Sequence, residues 1–161
     1  MEDKIKHAIS LRKEGKHAEA MSLLKELLNS HPNDPIVNYK LACVCDFMGR
    51  ESEAAPCYEK AIANGLAGED RQGAMLGLGS TYRCLGEYEK SLKVFDQAVG
   101  EYPEYRLFFV FRALVHYNLG RAEEAVSSLL IQLLDTTSDS SIKDCERALR
   151  FYSDKLNQTW K

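Results

Sequence analysis

The sequence predicts an all-α protein: four helix-turn-helix units in a row, followed by one further helix. Three observations carry this. Glycines that close a helical pattern recur at Gly15, Gly49, Gly86 and Gly120, separated by 34, 37 and 34 residues. Small residues keep step with them: Ala8, Ala42, Gly79 and Ala113 come seven before, Ala20, Ala54, Ser91 and Ala125 five after, and a large apolar residue (Leu24, Tyr58, Phe95, Leu129) comes nine after. Each unit also holds two apolar-periodic stretches of about 13 residues on either side of its glycine, the pattern of helix, tight turn, helix.

The units run 1–34, 35–68, 72–105 and 106–139. Small residues before and after each turn let the paired helices approach closely where they cross. Pro32 and Pro103 end the second helices of the first and third units, because proline cannot continue a helix. Pro56 falls in the first turns of a helix starting near Ser52, which it is expected to delay or bend. Residues 69–71 are an insertion after Gly65 and Gly68. They predict that the next helix begins near Glu69, a turn early, with acidic residues at its positive end. The fourth unit opens with Leu107–Val115, apolar on nearly every face and therefore in need of burial all round. Beyond it Ile142, Cys145, Leu149, Tyr152 and Leu156 make one apolar stripe, which predicts a single helix over about 140–157 that caps the array with its polar side outward.

These columns resemble the tetratricopeptide repeat family. The third unit matches its pattern best, with Leu78, Gly79, Tyr82, Gly86, Tyr88, Ser91, Phe95, Ala98 and Pro103. The second unit departs at Leu66, where the pattern has Pro. The first departs at Lys4, where it has a large aromatic, and the fourth at Gln132 and Thr137. The resemblance spans residues 1–139 and implies a right-handed α-solenoid over a single domain, 1–161. It implies a fold and leaves the function open.

Composition narrows the function. Lys and Arg number 21 against 24 Asp and Glu, giving a net charge of −3 with no basic excess for nucleic acid. The longest apolar run, Leu107–Phe111, is far below the ~20 residues of a membrane span. The opening Met-Glu-Asp-Lys-Ile-Lys-His is not a secretory signal. Five cysteines, an odd number inside apolar stretches, read as reduced thiols acting as small hydrophobes in a soluble, cytoplasmic protein.

No chemistry-bearing motif stands out. Cys43 and Cys45 point to different faces of a helix and cannot chelate one ion. The stretch Gly77-Leu-Gly79 lacks a third glycine, and Gly68 to Gly73 is followed by Ala-Met where a phosphate loop needs Lys. There is no G-x-S-x-G elbow. His17 and His116 stand where Tyr88 and Tyr82 stand in the third unit, so both are expected to be packing residues. The expectation is no enzyme, cofactor or metal; a thiol or metal enzyme using Cys43, Cys84 and His116 is the remote alternative.

The resemblance further implies a concave wall made by the first helix of each unit. The candidate partner-binding residues on it are Arg12, Tyr39, Asp46, Phe47, Leu76, Arg83, Val110, Leu114, Tyr117 and Asn118. Mostly apolar, with Tyr and Arg as anchors of the type enriched at binding hot spots, this wall suits a protein or peptide ligand that carries apolar side chains and a carboxylate. Tyr39, Arg83 and Tyr117 are expected to share it. The family's carboxylate-clamp specialisation is not expected, since its positions hold Ile5, Ile9, Lys40, Gly73 and Gly77. The alternative is an assembly protein whose apolar surface makes a homo-oligomer.

Overall fold

A computed structural model describes all residues 1–161. It contains ten helices and no strand: α1 (Glu2–Lys13), α2 (His17–Ser30), α3 (Pro35–Phe47), α4 (Glu51–Ala63), α5 (Gly68–Cys84), α6 (Tyr88–Glu101), α7 (Arg106–Asn118), α8 (Ala122–Thr136), α9 (Ser140–Asp144) and α10 (Glu146–Tyr152). The fold is all-α, of the helical-repeat solenoid class. The helices fall into two compact units, residues 1–87 and 88–161. No helix is long and apolar enough to cross a membrane.

The turn glycines do what their spacing predicts. Gly15, Gly49, Gly86 and Gly120 have φ of +81°, +67°, +76° and +74°, a left-handed backbone that side chains with a Cβ resist. The residue after each donates its N–H back to the preceding helix: Lys16 to Leu11 O, Arg50 to Cys45 O, Glu87 to Tyr82 O and Arg121 to His116 O, at 2.8–2.9 Å. Each helix end is thereby closed by the same paired-carbonyl motif.

In residues 1–87, α3 sits among α1, α2, α4 and α5. Its start is fixed by Asp34, whose carboxylate accepts from Val37 N at 2.8 Å, with Pro35 at the first helical position. The buried Asn38 side chain donates to Asp34 O at 2.8 Å and Pro32 O at 3.1 Å, tying the loop between units to the helix. Helix α4 starts at Glu51, ahead of Pro56, so the proline does not delay it. Pro56 is exposed, which leaves the carbonyl it fails to bond open to water. Helix α5 begins at Gly68, a turn early, with Glu69 and Asp70 in its first turn.

In residues 88–161 the core is aromatic. Phe95 of α6 and Phe108 of α7 are fully buried with ring centroids 6.4 Å apart; Phe111 stacks on Phe95 at 5.9 Å and Tyr105 meets Phe108 edge-on at 4.9 Å. Burial of Leu107–Val115 all round is not achieved: Phe108, Ala113 and Val115 are buried, but Leu107 stays 38% exposed. The single C-terminal helix is also corrected. The chain breaks at Cys145, whose N–H takes a tighter bond to Ile142 O before Leu149 N resumes the helical pattern to Cys145 O. Helix α10 packs on α8, and Arg150 holds Asp135 at 2.6 Å. Its outer side is not polar, since Phe151, Tyr152 and Trp160 cluster there, each about half exposed, with centroids 5.5–5.9 Å apart.

Candidate functional site

The first helices α1, α3 and α5 lie side by side in residues 1–87, with α3 in the middle. Six of the candidate residues stand on them. Arg12, in the last turn of α1, is exposed and carries no ion pair; with Ile9 it borders a small recess shared with Lys40 of α3. Lys40 itself is paired with Asp70 at 2.8 Å and lies over the Tyr39 ring at 4.4 Å. Phe47 is 71% exposed at the end of α3, where one side of its ring meets His17 at 4.2 Å. Leu76 and Arg83 are half-buried on α5.

Tyr39 and Asp46 are tied down by their own chain. The Tyr39 hydroxyl lies against Gly73 of α5, where an added Cβ would stand 3.3 Å from the ring's Cζ and closer still to the oxygen. Asp46 accepts two hydrogen bonds, from the Tyr58 hydroxyl at 3.1 Å and from Thr81 Oγ1 at 2.9 Å. It thereby joins α3, α4 and α5. Burial raises the Asp46 carboxyl above the usual carboxylate range, and the two hydrogen bonds oppose that shift. Burial, with Cys43 and Asp46 adjacent, pushes the Tyr58 hydroxyl strongly up and keeps it protonated as the donor. The Tyr58 ring in turn covers Gly77, where a Cβ would come within 2.8 Å of Cε1.

The roles of Gly73, Gly77, Tyr58 and Thr81 were not read from sequence. One signal was present: two glycines four apart in mid-helix, each costing about 1 kcal/mol relative to Ala, require a neighbour that comes too close for a side chain.

The other four candidates lie on α7 in residues 88–161. Tyr117 is 69% exposed, while Val110, Leu114 and Asn118 are half-buried. Opposite them, between α7 and α8, Phe109, Arg112, His116, Glu124, Ser127 and Ile131 line an open depression of about 390 Å³. His116 is not a satisfied imidazole: its Nδ1 is buried without a hydrogen-bond partner. Burial, then Arg112 and Arg121, lower its pKa and favour the neutral ring. Among the thiols, Cys45 is buried and pushed up to about 11, and Cys57 is also raised by burial, the opposite of activation. No three His, Cys, Asp or Glu side chains converge as metal ligands.

Rows of paired helices closed at a left-handed glycine, with small residues at the crossings, define a helical-repeat protein. The chain belongs to the tetratricopeptide repeat family: a family model described as Tetratrico peptide repeat matches residues 35–156, and a second, Tetratricopeptide repeat, matches residues 5–34. Solved structures agree in fold. The crystal structure of MamA protein aligns at TM-score 0.72 and 16% identity, over 99% of this chain and 78% of that one. MamA, residue 41 to the end, from Desulfovibrio magneticus RS-1 aligns at 0.75 and 19%, over 86% and 77%. YrrB, described as a TPR protein with an unusual peptide-binding site, aligns at 0.72 and 17%, over 92% and 71%. At such identities the likeness is one of fold. No curated protein matches the sequence.

Proposed function

We propose that the protein is a non-catalytic interaction module, cytoplasmic, that holds a peptide or a segment of a partner protein against its first helices. The observation that carries this is the surface of α1 and α3. Ile36 (42% exposed) and Phe47 (71% exposed) offer apolar area at the two ends of α3, and Arg12 on α1 adds a cation with no ion pair of its own. Apolar contacts anchored by Arg and aromatic side chains are the chemistry of binding hot spots. The ligand this fits is a segment with two or three apolar residues and a carboxylate for the guanidinium. Leu76 and Arg83 extend the surface on α5, and Val110, Leu114, Tyr117 and Asn118 offer similar chemistry on α7. Tyr39 and Asp46 support the surface from behind. Family membership supports an interaction role, and YrrB offers a precedent for a peptide site on this fold.

A displayed random-peptide library selected on the full chain, with hits measured by calorimetry, tests the proposal. The selected peptides should be apolar and acidic, and Arg12→Ala or Phe47→Ala should weaken them about tenfold, the size of one anchor. Selected peptides indifferent to both substitutions would remove the site from α1 and α3.

A further inference from the structure

The second helix of each repeat presents three apolar residues to the first helix of the next one. In α2 these are Met21, Leu24 and Leu28, covered by α3; in α4 they are Ala55, Tyr58 and Ile62, covered by α5; in α6 they are Leu92, Phe95 and Val99, covered by α7 through Phe108 and Phe111. Helix α8 carries the same set as Val126, Leu129 and Leu133, and these remain 49%, 38% and 45% exposed. The C-terminal segment does not cover them. It lies on another side of α8, where Arg150 meets Asp135, Asn157 meets Glu123, and Ser153 and Leu156 face Glu124 and Ser127.

We propose that this open face of α8 pairs with the same face of a second copy of the chain, the two helices antiparallel with their two-fold axis at Leu129. The exposed residues Ala122, Val126, Leu129, Leu133 and Thr136 are spaced 4-3-4-3, the seam of a helix that pairs with another helix. Beside the seam stand Glu123, Ala125, Leu130 and Gln132. The one charge among them is already bonded to Asn157, so two copies meet without like charges opposed and nothing selects an oppositely charged partner. The N-terminal helix of another copy does not fit this face. At the places of Phe108, Phe111 and Val115 it carries Asp3, Lys6 and Ser10, all exposed, so head-to-tail stacking gains no apolar contact. What remains is a closed, two-fold contact, with Val126 of each copy opposite Leu133 of the other. The seam is narrow beside the roughly 800 Å² per partner of a standard interface, so the dimer is weak.

Sedimentation of the full chain from about 1 μM to about 1 mM, the range in which weak pairing shows, should reveal a reversible monomer–dimer equilibrium. Leu129→Glu should weaken it at least about tenfold while leaving the helical spectrum and melting curve intact, as its exposure allows. Orientation is read separately in a background with the exposed Cys84 and Cys145 changed to Ser. Val126→Cys mixed with Leu133→Cys should form the mixed disulfide faster than either forms its own, and Leu129→Cys should couple to itself. A chain that stays monomeric throughout overturns the proposal and leaves the face to a different occupant. Dimerisation that survives Leu129→Glu, or cross-links that favour like positions at 126 and 133, also overturns it. Peptide capture by α1 and α3 is unaffected by any of these outcomes.

Discussion

Helices α3 and α7 hold the same place in their repeats and end with opposite surfaces. Where α3 has Asp46, fastened by Tyr58 and Thr81, α7 has Tyr117, 69% exposed. Where α4 reaches in with Tyr58, buried to 3%, α8 has Leu129, 38% exposed. Where α3 has Tyr39 lying against Gly73, α7 has Val110. The difference follows from what comes next along the chain. Helix α5 packs on both α3 and α4, and its Gly73, Gly77 and Thr81 are shaped to receive them; α9 and α10, which come after α8, leave Leu129 exposed. An identical repeat position is therefore a core position or a surface position according to its downstream neighbour.

Tyr58→Ala should be the most damaging single change, costing about 3–5 kcal/mol, as for other buried large aromatics. It empties the space over Gly77 and removes one of the two hydrogen bonds to the Asp46 carboxylate. Leu129→Ala, at the matching position, should cost under about 1 kcal/mol when measured on dilute chain. Urea unfolding of the two variants compares them directly. Equal losses would mean that the two positions are packed alike and that the contrast between the repeats is false.

Gly77→Ala sharpens the same point at smaller scale. The added methyl meets the Tyr58 ring, and overpacking of this kind costs about 1–3 kcal/mol. Gly100, also helical but with nothing within 4 Å of its missing Cβ, is the control: Gly100→Ala should stabilise by about 0.5–1 kcal/mol through helix propensity alone. Opposite signs in thermal melts are the expected result.

The turns were legible in the sequence because a left-handed residue has essentially one chemical solution, glycine, and four of them fell in register with small residues at the crossings. The early start of α5 and the stops before Pro32 and Pro103 were legible from similarly local chemistry, whereas Pro56 does not delay α4. The site was legible only as a list of positions. Repeat numbering makes Tyr39 and Asp46 equivalent to the half-buried Val110 and the exposed Tyr117, and nothing within one unit says that Thr81, 35 residues later, will engage Asp46. The C-terminal stripe failed for a related reason: its apolar spacing is continuous through Cys145, whereas the break there is set by packing of α10 on α8.

The buried acid gives the contrast a pH signature. Burial is the leading cause that raises Asp46 above its ordinary value of 3.8. The folded state therefore binds this proton more tightly than the unfolded chain does. Stability from that preference is fully present below the unfolded value and is lost as pH rises through the folded one. Wild type measured against Asp46→Asn should accordingly lose relative stability from about pH 4 upward. A difference between the two proteins that is flat across acidic pH would show that Asp46 is solvated and that the α3 surface is as open as that of α7.

Tyr117→Ala should have the smallest effect on folding. An exposed side chain that bears no structural hydrogen bond rarely shifts stability by more than about 0.5 kcal/mol, and Tyr117 is 69% exposed. Tyr39→Ala makes the informative partner. Loss of its ring opens a gap over Gly73, so it should destabilise measurably although the sequence pattern assigns it to the same wall as Tyr117. If α7 takes part in peptide capture, Tyr117→Ala should also weaken a library-selected peptide by about 1–2 kcal/mol, the range of an aromatic anchor, with the melting curve unchanged. Affinity and melting curve both unchanged would confine capture to residues 1–87. A melting temperature lowered as far as by Tyr39→Ala would instead show that α7 is covered as closely as α3.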